Sequence, residues 1–430
     1  MLKAWIISIG NELLIGDTVN TNATWIGRFL TEQGFSVEEV RTISDGYEKI
    51  RQAIGEGLNR ADLVVTTGGL GPTHDDVTKK AVADLFDADL TVDQRVLSHV
   101  KEIFRRRELK MTPSNREQAL IPQGFSVLFN NKGTAPGLWL GREGSAALAI
   151  LPGVPYEMQY LMESAVKPAI RKRFPDRSYQ VTRYLKTAGI SESQLSERVI
   201  GDLGSFLNNG IGVAYLPSPS GVTIRVSRSG ADLELAKSEL DPVIRHIKQR
   251  ADGLIYGEGR DLTLSEVVGG LLRKRGLKIA VAESCTGGFV CNELTNIAGS
   301  SDYFPGGEVA YDNEIKAERL GVDPGTLKRY GAVSKQTALE LADGAARQFR
   351  ADIGVSTTGV AGPGGGSRDK PVGTVWIGFR FDEDLFALKA RFTQDRLVNK
   401  ERTAAVLLET VRRYLMQIEP YPYDLKPQGR

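Results

Sequence analysis

The chain has 430 residues, 41% of them hydrophobic and 25% charged, which suits about two to four soluble globular domains. A formal net charge of +2 gives no electrostatic case for nucleic acid as the main partner and argues against direct nucleic-acid binding. Cys285 and Cys291 are the only cysteines, too few for a disulfide framework and wrongly spaced for zinc. That usage suits a reducing cytoplasm. No apolar run approaches a membrane span, and the amino-terminal M-L-K-A-W-I-I-S-I-G reads as a first strand rather than a signal peptide.

Lys3 to Gly10 is predicted as strand one, followed by the polar loop Asn11 to Asn22 around a small apolar plug. Ala23, Ile26, Phe29 and Leu30 recur at helical spacing, and the helix stops at Gly34. Phe35 to Arg41 and Leu63 to Thr66 are further strands, separated by a helix from near Tyr47. Later come a polar helix over 93–110, the strand Ala147 to Leu151 and a helix opened by P-G-V-P-Y-E-M. From about Tyr179 the pattern changes to a strand, a helix, two short strands and the charged helix 232–250. Gly257 to Arg260 reads as a hinge. Ile279 to Ala282, the strand ending at Tyr311, Ile353 to Gly359 and Pro371 to Phe379 follow, and the last helix begins near Arg396. The tail I-E-P-Y-P-Y-D-L-K-P-Q-G-R reads as an ordered strap or a frayed end. Alternating strands and helices imply an α/β fold: two three-layer α/β domains with mostly parallel sheets, at 1–172 and 261–420, joined by a small α+β middle domain at 175–257.

Two loop groups carry candidate chemistry. In the first, T-T-G-G-L-G-P-T-H-D-D-V-T, Gly68, Gly69 and Gly71 follow a strand and can present N–H groups to a phosphate. The loop has neither Walker nor dinucleotide spacing. Asp75 and Asp76 come next, with Glu12, Asp17 and Asp45 on neighbouring strand ends. Such carboxylates suit a divalent metal, or merely cap the next helix. In the second group, Ser284 in A-E-S-C-T-G-G ends a strand just before a helix, where open α/β sheets bind ligands. The free N–H groups of that helix would favour an anion or oxyanion there. An ordinary turn with a capping Ser and Thr reads equally well. Tyr311 and Lys316 are placed to lie over one strand end, and a desolvated lysine can serve as base for a serine. The three histidines, His74, His99 and His246, all lie elsewhere, which excludes a local Ser–His–Asp triad. V-A-G-P-G-G-G-S, Thr357 and Thr358 form another cradle, and Arg396 and Asn399 begin the last helix. A salt-bridged Arg396 and a Tyr311 packed at a rim are the alternative readings.

T-T-G-G-L-G-P-T-H-D-D-V-T, G-N-E-L-L-I-G-D-T-V-N-T-N, G-T-A-P-G and L-P-G-V-P resemble the molybdopterin-binding-like domain, in the version found in the CinA (competence/damage-inducible) family. That resemblance implies metal-dependent hydrolysis of ADP-ribose to AMP and ribose 5-phosphate. Gly68, Gly69, Gly71 and Asn20 would bind the substrate, and Asp17, Asp75 and Asp76 a divalent metal. A-E-S-C-T-G-G, Y-D-N-E-I-K, G-A-V-S, T-T-G-V-A-G-P-G-G-G, P-V-G-T-V and D-R-L-V-N-K-E-R are similar to the carboxyl-terminal domain of CinA and to nicotinamide mononucleotide (NMN) amidohydrolases. This second resemblance implies cofactor-free deamidation of NMN to nicotinate mononucleotide. Ser284 would be the nucleophile, Tyr311 and Lys316 the proton-transfer partners. Thr286, Gly287, Thr358, Gly359, Gly362, Gly364, Gly365 and Arg396 would bind substrate. Cys285 is a rival nucleophile by chemistry. Other readings make the amino-terminal domain a non-catalytic nucleotide- or pterin-binding module, or the protein an accessory factor in competence or DNA damage. The expected partners are small nucleotides and a second copy of the chain, with no membrane and no direct nucleic acid.

Overall fold

The first strand, β1 (Leu2–Ile9), buries both of its faces. Ala4 and Ile6 join one apolar cluster with Ile26, Phe29 and Leu30, while Trp5, Ile7 and Ile9 join another with Ile50 and Ile54. A side-chain period of two gives this split when helices cover both sides of a sheet. The protein is described by a computed structural model over residues 1–71, 77–207 and 210–429. Seven strands follow: β2 (Phe35–Ile43), β3 (Leu63–Thr67), β4 (Leu90–Val92), β5 (Leu120–Pro122), β6 (Ser126–Leu128), β7 (Gly137–Leu140) and β8 (Ala147–Leu151). The main sheet runs β2-β1-β3-β8-β7-β6, with β4 and β5 paired apart. β2, β1, β3 and β8 are mutually parallel. Ser8 pairs with Thr67 and Thr67 with Leu151, so three carboxyl ends share one edge.

β9 (Tyr179–Thr187), β10 (Ile211–Ser218), β11 (Gly221–Gly230) and β12 (Ile255–Glu258) form a four-stranded sheet of order β10-β11-β9-β12. Gly257 and Glu258, read from sequence as a hinge, are instead paired with β9. A Cβ on Gly257 would lie 2.2 Å from Leu262 Cδ2, so glycine there permits a close contact rather than a bend.

The third sheet contains β13 (Ile279–Glu283), β14 (Gly306–Val309), β15 (Ile353–Gly359), β16 (Thr374–Phe381), β17 (Asp384–Arg391) and β18 (Gln428–Gly429), in the order β14-β13-β15-β16-β17-β18. β13 runs parallel to both neighbours. From β15 outward the pairing is antiparallel, and the turn between β16 and β17 is too short for a helical crossover. Ala280 and Ala282 face the cluster of Leu320, Val322 and Leu341, while Ile279 and Val281 face Val268, Leu272 and Leu407. The helix Lys335–Phe349 packs close: a Cβ on Gly354 would sit 2.1 Å from Ala342 O. The tail is an ordered strap, with Tyr423 N–H donating to Gly189 O at 2.6 Å and β18 on the sheet edge. Contacts divide the chain into two compact units, 1–181 with 228–239, and 182–227 with the residues from 240 onward. Among the described residues no helix is long and apolar enough to cross a membrane.

Candidate functional site

In the first unit, the turns after β1, β3 and β8 surround a cavity of about 410 Å³. Its lining includes Gly68, Gly69, Gly71, Glu12, Asp45 and Glu157. Gly68 has φ +109° and its Cβ would fall 2.1 Å from Ile9 O. No other residue fits there, which is why the backbone of this turn is bare toward the cavity. Asn20, a sequence candidate for substrate binding, caps the helix Thr21–Glu32 by accepting from Ala23 N–H at 3.0 Å. Asn22, two residues on, is the one that reaches the cavity edge. Its amide donates to Gly153 O at 2.7 Å and Thr67 Oγ1 at 3.1 Å, while its Oδ1 is buried without a partner among the described residues. Sequence reasoning also passed over Glu157. Its buried carboxylate accepts from Asn130 Nδ2 at 2.6 Å and braces the G-T-A-P-G loop. Asp17 is exposed and is not part of the cavity wall, whereas Asp45 accepts from Asn11 N–H at 3.1 Å. Asp75 and Asp76 lie outside the described residues. Among the described residues no three His, Cys, Asp or Glu side chains group as a metal site.

The second unit assembles the Ser284 segment at the carboxyl edge of its parallel strands. Glu283 pairs with Val309 on one side and Thr357 on the other. Ser284 therefore emerges between the end of β14, which leads to Tyr311, and the end of β15, which leads to the glycine loop. Its N–H continues the ladder to Thr357 O at 2.9 Å. Thr286, wholly buried, bonds Thr357 through their hydroxyls at 2.6 Å. The expectation of free N–H groups on the next helix is corrected here. The Glu283 carboxylate, fully buried, accepts from Gly288, Val290 and Cys291 N–H at 2.8–3.1 Å. The cap of the helix Phe289–Thr295 is thus neither Ser284 nor Thr286. These donors are spent inside the protein and are not offered to a ligand.

Lys316 is 1% exposed, and its Nζ donates to Tyr311 O at 3.0 Å and Asp312 O at 3.4 Å. Burial pushes its ammonium below the usual lysine range, with Asp312 and Cys285 opposing that shift. Burial also pushes the Cys285 thiol up to about 12. Tyr311 is 60% exposed, and its hydroxyl accepts from Arg396 NH2 at 2.8 Å. Arg396 NH1 donates to Gly362 O at 2.8 Å. One guanidinium thus ties the end of β14 to the glycine loop. Buried Asn399 holds the same loop from below, donating to Ala361 O at 2.8 Å. Gly362 has φ +96°, and Gly359 would set a Cβ 2.7 Å from Thr374 O. Gly364 and Gly365 are exposed on the outer face. The Thr358 hydroxyl donates inward to Ala332 O at 2.7 Å. Gly287 is exposed at φ +60°, and Lys400 Nζ lies 3.7 Å from where its Cβ would stand. Lys400 was missed in the sequence. The available signal was its place four residues after Arg396, on the same helix face.

Residues 261–415 match the family model "CinA C-terminal domain", 5–172 the "Probable molybdopterin binding domain" and 182–257 the "Damage-inducible protein CinA KH domain". A "CinA-like protein" of Chloroherpeton thalassium is 46% identical over 422 residues, covering 96% of this chain and 99% of the relative. Another, from Salinibacter ruber, is 42% identical over 96% of this chain and all of the relative. A crystal structure of a competence/damage-inducible protein from Agrobacterium tumefaciens is 38% identical, with a TM-score of 0.35, over 37% of this chain and 99% of that one.

Proposed function

Since the chain belongs to the CinA family, we propose that it is a two-site hydrolase of nucleotide fragments whose carboxyl-terminal site deamidates NMN. The observation that carries this reading is the environment of Lys316. A neutral amine has two N–H bonds and one lone pair. Two backbone carbonyls take the N–H bonds, which leaves one lone pair uncommitted, and this reading assigns it to the Ser284 proton. In the proposed reaction the Ser284 oxygen attacks the carboxamide carbon as its proton passes to Lys316. Collapse breaks the C–N bond, and Lys316 returns the proton to the leaving nitrogen, which departs as ammonia. Water then opens the acyl-serine by the reverse proton path, giving the carboxylate. Glu283 claims three amides of the helix start, and Ser284 and Gly287 N–H bond to backbone carbonyls. Oxyanion stabilisation is therefore assigned to the Cys285 and Thr286 N–H groups. The Tyr311 hydroxyl accepts from Arg396, so its own proton remains available to the substrate.

The test is ammonia release from NMN by the full chain. A further expectation concerns pH. Neutral Lys316 is the active form, and its ionisation is shifted downward by burial. The value of kcat/KM should rise with pH through one ionisation below the ordinary lysine value and then level off. In Lys316→Arg both the activity and that rising limb should be lost. A rising limb that survives the substitution would remove Lys316 from the role.

The amino-terminal cavity is proposed to hold the pyrophosphate of ADP-ribose against the Gly68–Gly71 turn. A divalent metal is part of this reading. Glu12 and Asp45 on the cavity wall do not by themselves complete a metal site among the described residues, so no step is derived through it. AMP release from ADP-ribose is expected to need added divalent metal, to stop with chelator, and to fall by about 10²-fold or more in the Asp75→Ala, Asp76→Ala double variant. Metal-independent turnover would reject the metal. Tight ADP-ribose binding without turnover would favour a non-catalytic module.

A further inference from the structure

The second unit holds another cavity, of about 380 Å³, that is lined by neither Ser284, Tyr311, Lys316 nor the 360–366 loop. Its walls come from the turn between β10 and β11, the end of β17, the last helix and the tail, all within one compact unit. That size lies in the range of about 300–1,000 Å³ typical of small-ligand sites. Arg391, at the end of β17, and Arg402, on the helix Arg396–Met416, both line it. Neither guanidinium has a hydrogen bond or ion pair to another described residue. Glu192 is the acid on the wall; it is exposed and pairs with neither of them among the described residues. Two uncommitted guanidinium groups on one cavity match the double charge of a phosphate monoester. Much of the remaining wall is flat and apolar. Pro217 and Pro219 bring no N–H to the β10–β11 turn, and Phe392 and Tyr423 bring rings. Tyr423 and Asp424 are consecutive non-glycine residues at φ +53°, an uncommon left-handed conformation that only surrounding contacts hold in place. The Tyr423 N–H bond to Gly189 O is one of them. A bare phosphate would leave these surfaces uncovered, whereas a nucleobase would lie against them.

We propose that this cavity is a third nucleotide site, which takes a nucleoside monophosphate with its phosphate on Arg391 and Arg402 and its base against Tyr423, Phe392 and the two prolines. The site is separate from both proposed hydrolase sites and rests on neither of those readings. Each charge-assisted contact is a matter of about 10- to 100-fold in affinity.

The experiment uses the full chain, unmodified and with Arg391→Gln, Arg402→Gln or Tyr423→Ala. Binding of AMP, adenosine and inorganic phosphate is measured by calorimetry, and the photoreactive 8-azido-AMP is cross-linked and its attachment point mapped by peptide mass. The expected result is a label on Tyr423 or the 217–222 turn, with adenosine bound much more weakly than AMP. Each Gln variant should weaken that AMP site by about 10- to 100-fold, and Tyr423→Ala should weaken AMP while leaving inorganic phosphate unchanged. Should Arg402→Gln fail to fold, Arg391→Gln decides alone, because Arg391 is an exposed residue at a strand end. An AMP held in the amino-terminal cavity is told apart by its label and by its indifference to these substitutions. Label confined to residues 1–172, adenosine bound as tightly as AMP, or AMP affinity unchanged in the Gln variants would overturn the site.

Discussion

Ser284→Ala is expected to lower ammonia release from NMN by about 10⁴- to 10⁶-fold, the range typical of a lost nucleophile. Cys285→Ala should keep most of the activity. The two side chains are neighbours, and by intrinsic reactivity the thiol would win. Their surroundings reverse that order. Burial pushes the Cys285 thiol up to about 12, so the reactive thiolate is disfavoured at neutral pH. Ser284 is partly exposed at the strand end, and no hydrogen bond of its side chain to the described residues holds the fold. Ser284→Ala should therefore leave the unfolding transition where it is, separating loss of chemistry from loss of structure. Activity that survives in Ser284→Ala and vanishes in Cys285→Ala would make the thiol the nucleophile.

The second large effect concerns stability. Glu409 should be the costliest single side chain to truncate in the second unit. Its carboxylate accepts from Arg412 Nε and NH2 at 2.8 and 2.7 Å and from Arg413 Nε at 2.7 Å. All three side chains are at most 3% exposed. Arg412 also donates to Gly253 O at 2.5 Å, and Arg413 to Pro420 O. One acid thus orients two cations that fasten the last helix to the end of the charged helix and to the tail. Glu409→Ala would leave both guanidinium groups buried with no counter-charge, at a cost of about 3–5 kcal/mol. Glu409→Gln should lose somewhat less, because it keeps an acceptor. Urea unfolding of the full chain measures both. A Glu409→Ala midpoint equal to that of the unmodified protein would show that water or rearrangement relieves the two arginines.

These two cases also mark where reading along the chain succeeds and fails. The turn holding Ser284 is announced by four consecutive apolar residues, Ile279 to Ala282, and a Thr-Gly-Gly sequence, both of which act locally. Lys316 is likewise set by its neighbours, because a helix beginning at Asn313 carries its amine back to the Tyr311 and Asp312 carbonyls. Glu283 is assigned no role from the sequence. Its role as the cap of the next helix depends on its being fully buried, which composition does not reveal. In V-N-T-N the sequence reading assigns substrate binding to Asn20, although Asn22 is the same residue type two positions on. Only the position of the helix start assigns the cap to the first and the cavity edge to the second.

By itself the sequence determined the strand–helix alternation, the glycine turns and the family, since each depends on spacing within a few tens of residues. The tertiary structure decided which cations and acids meet: Arg396 with Tyr311 across 85 residues of chain, Glu283 with the helix it caps, and the antiparallel outer strands of the third sheet. Such meetings are settled by how sheets and helices pack, where the gain from satisfying a buried charge or amide is collective and leaves no local pattern along the chain.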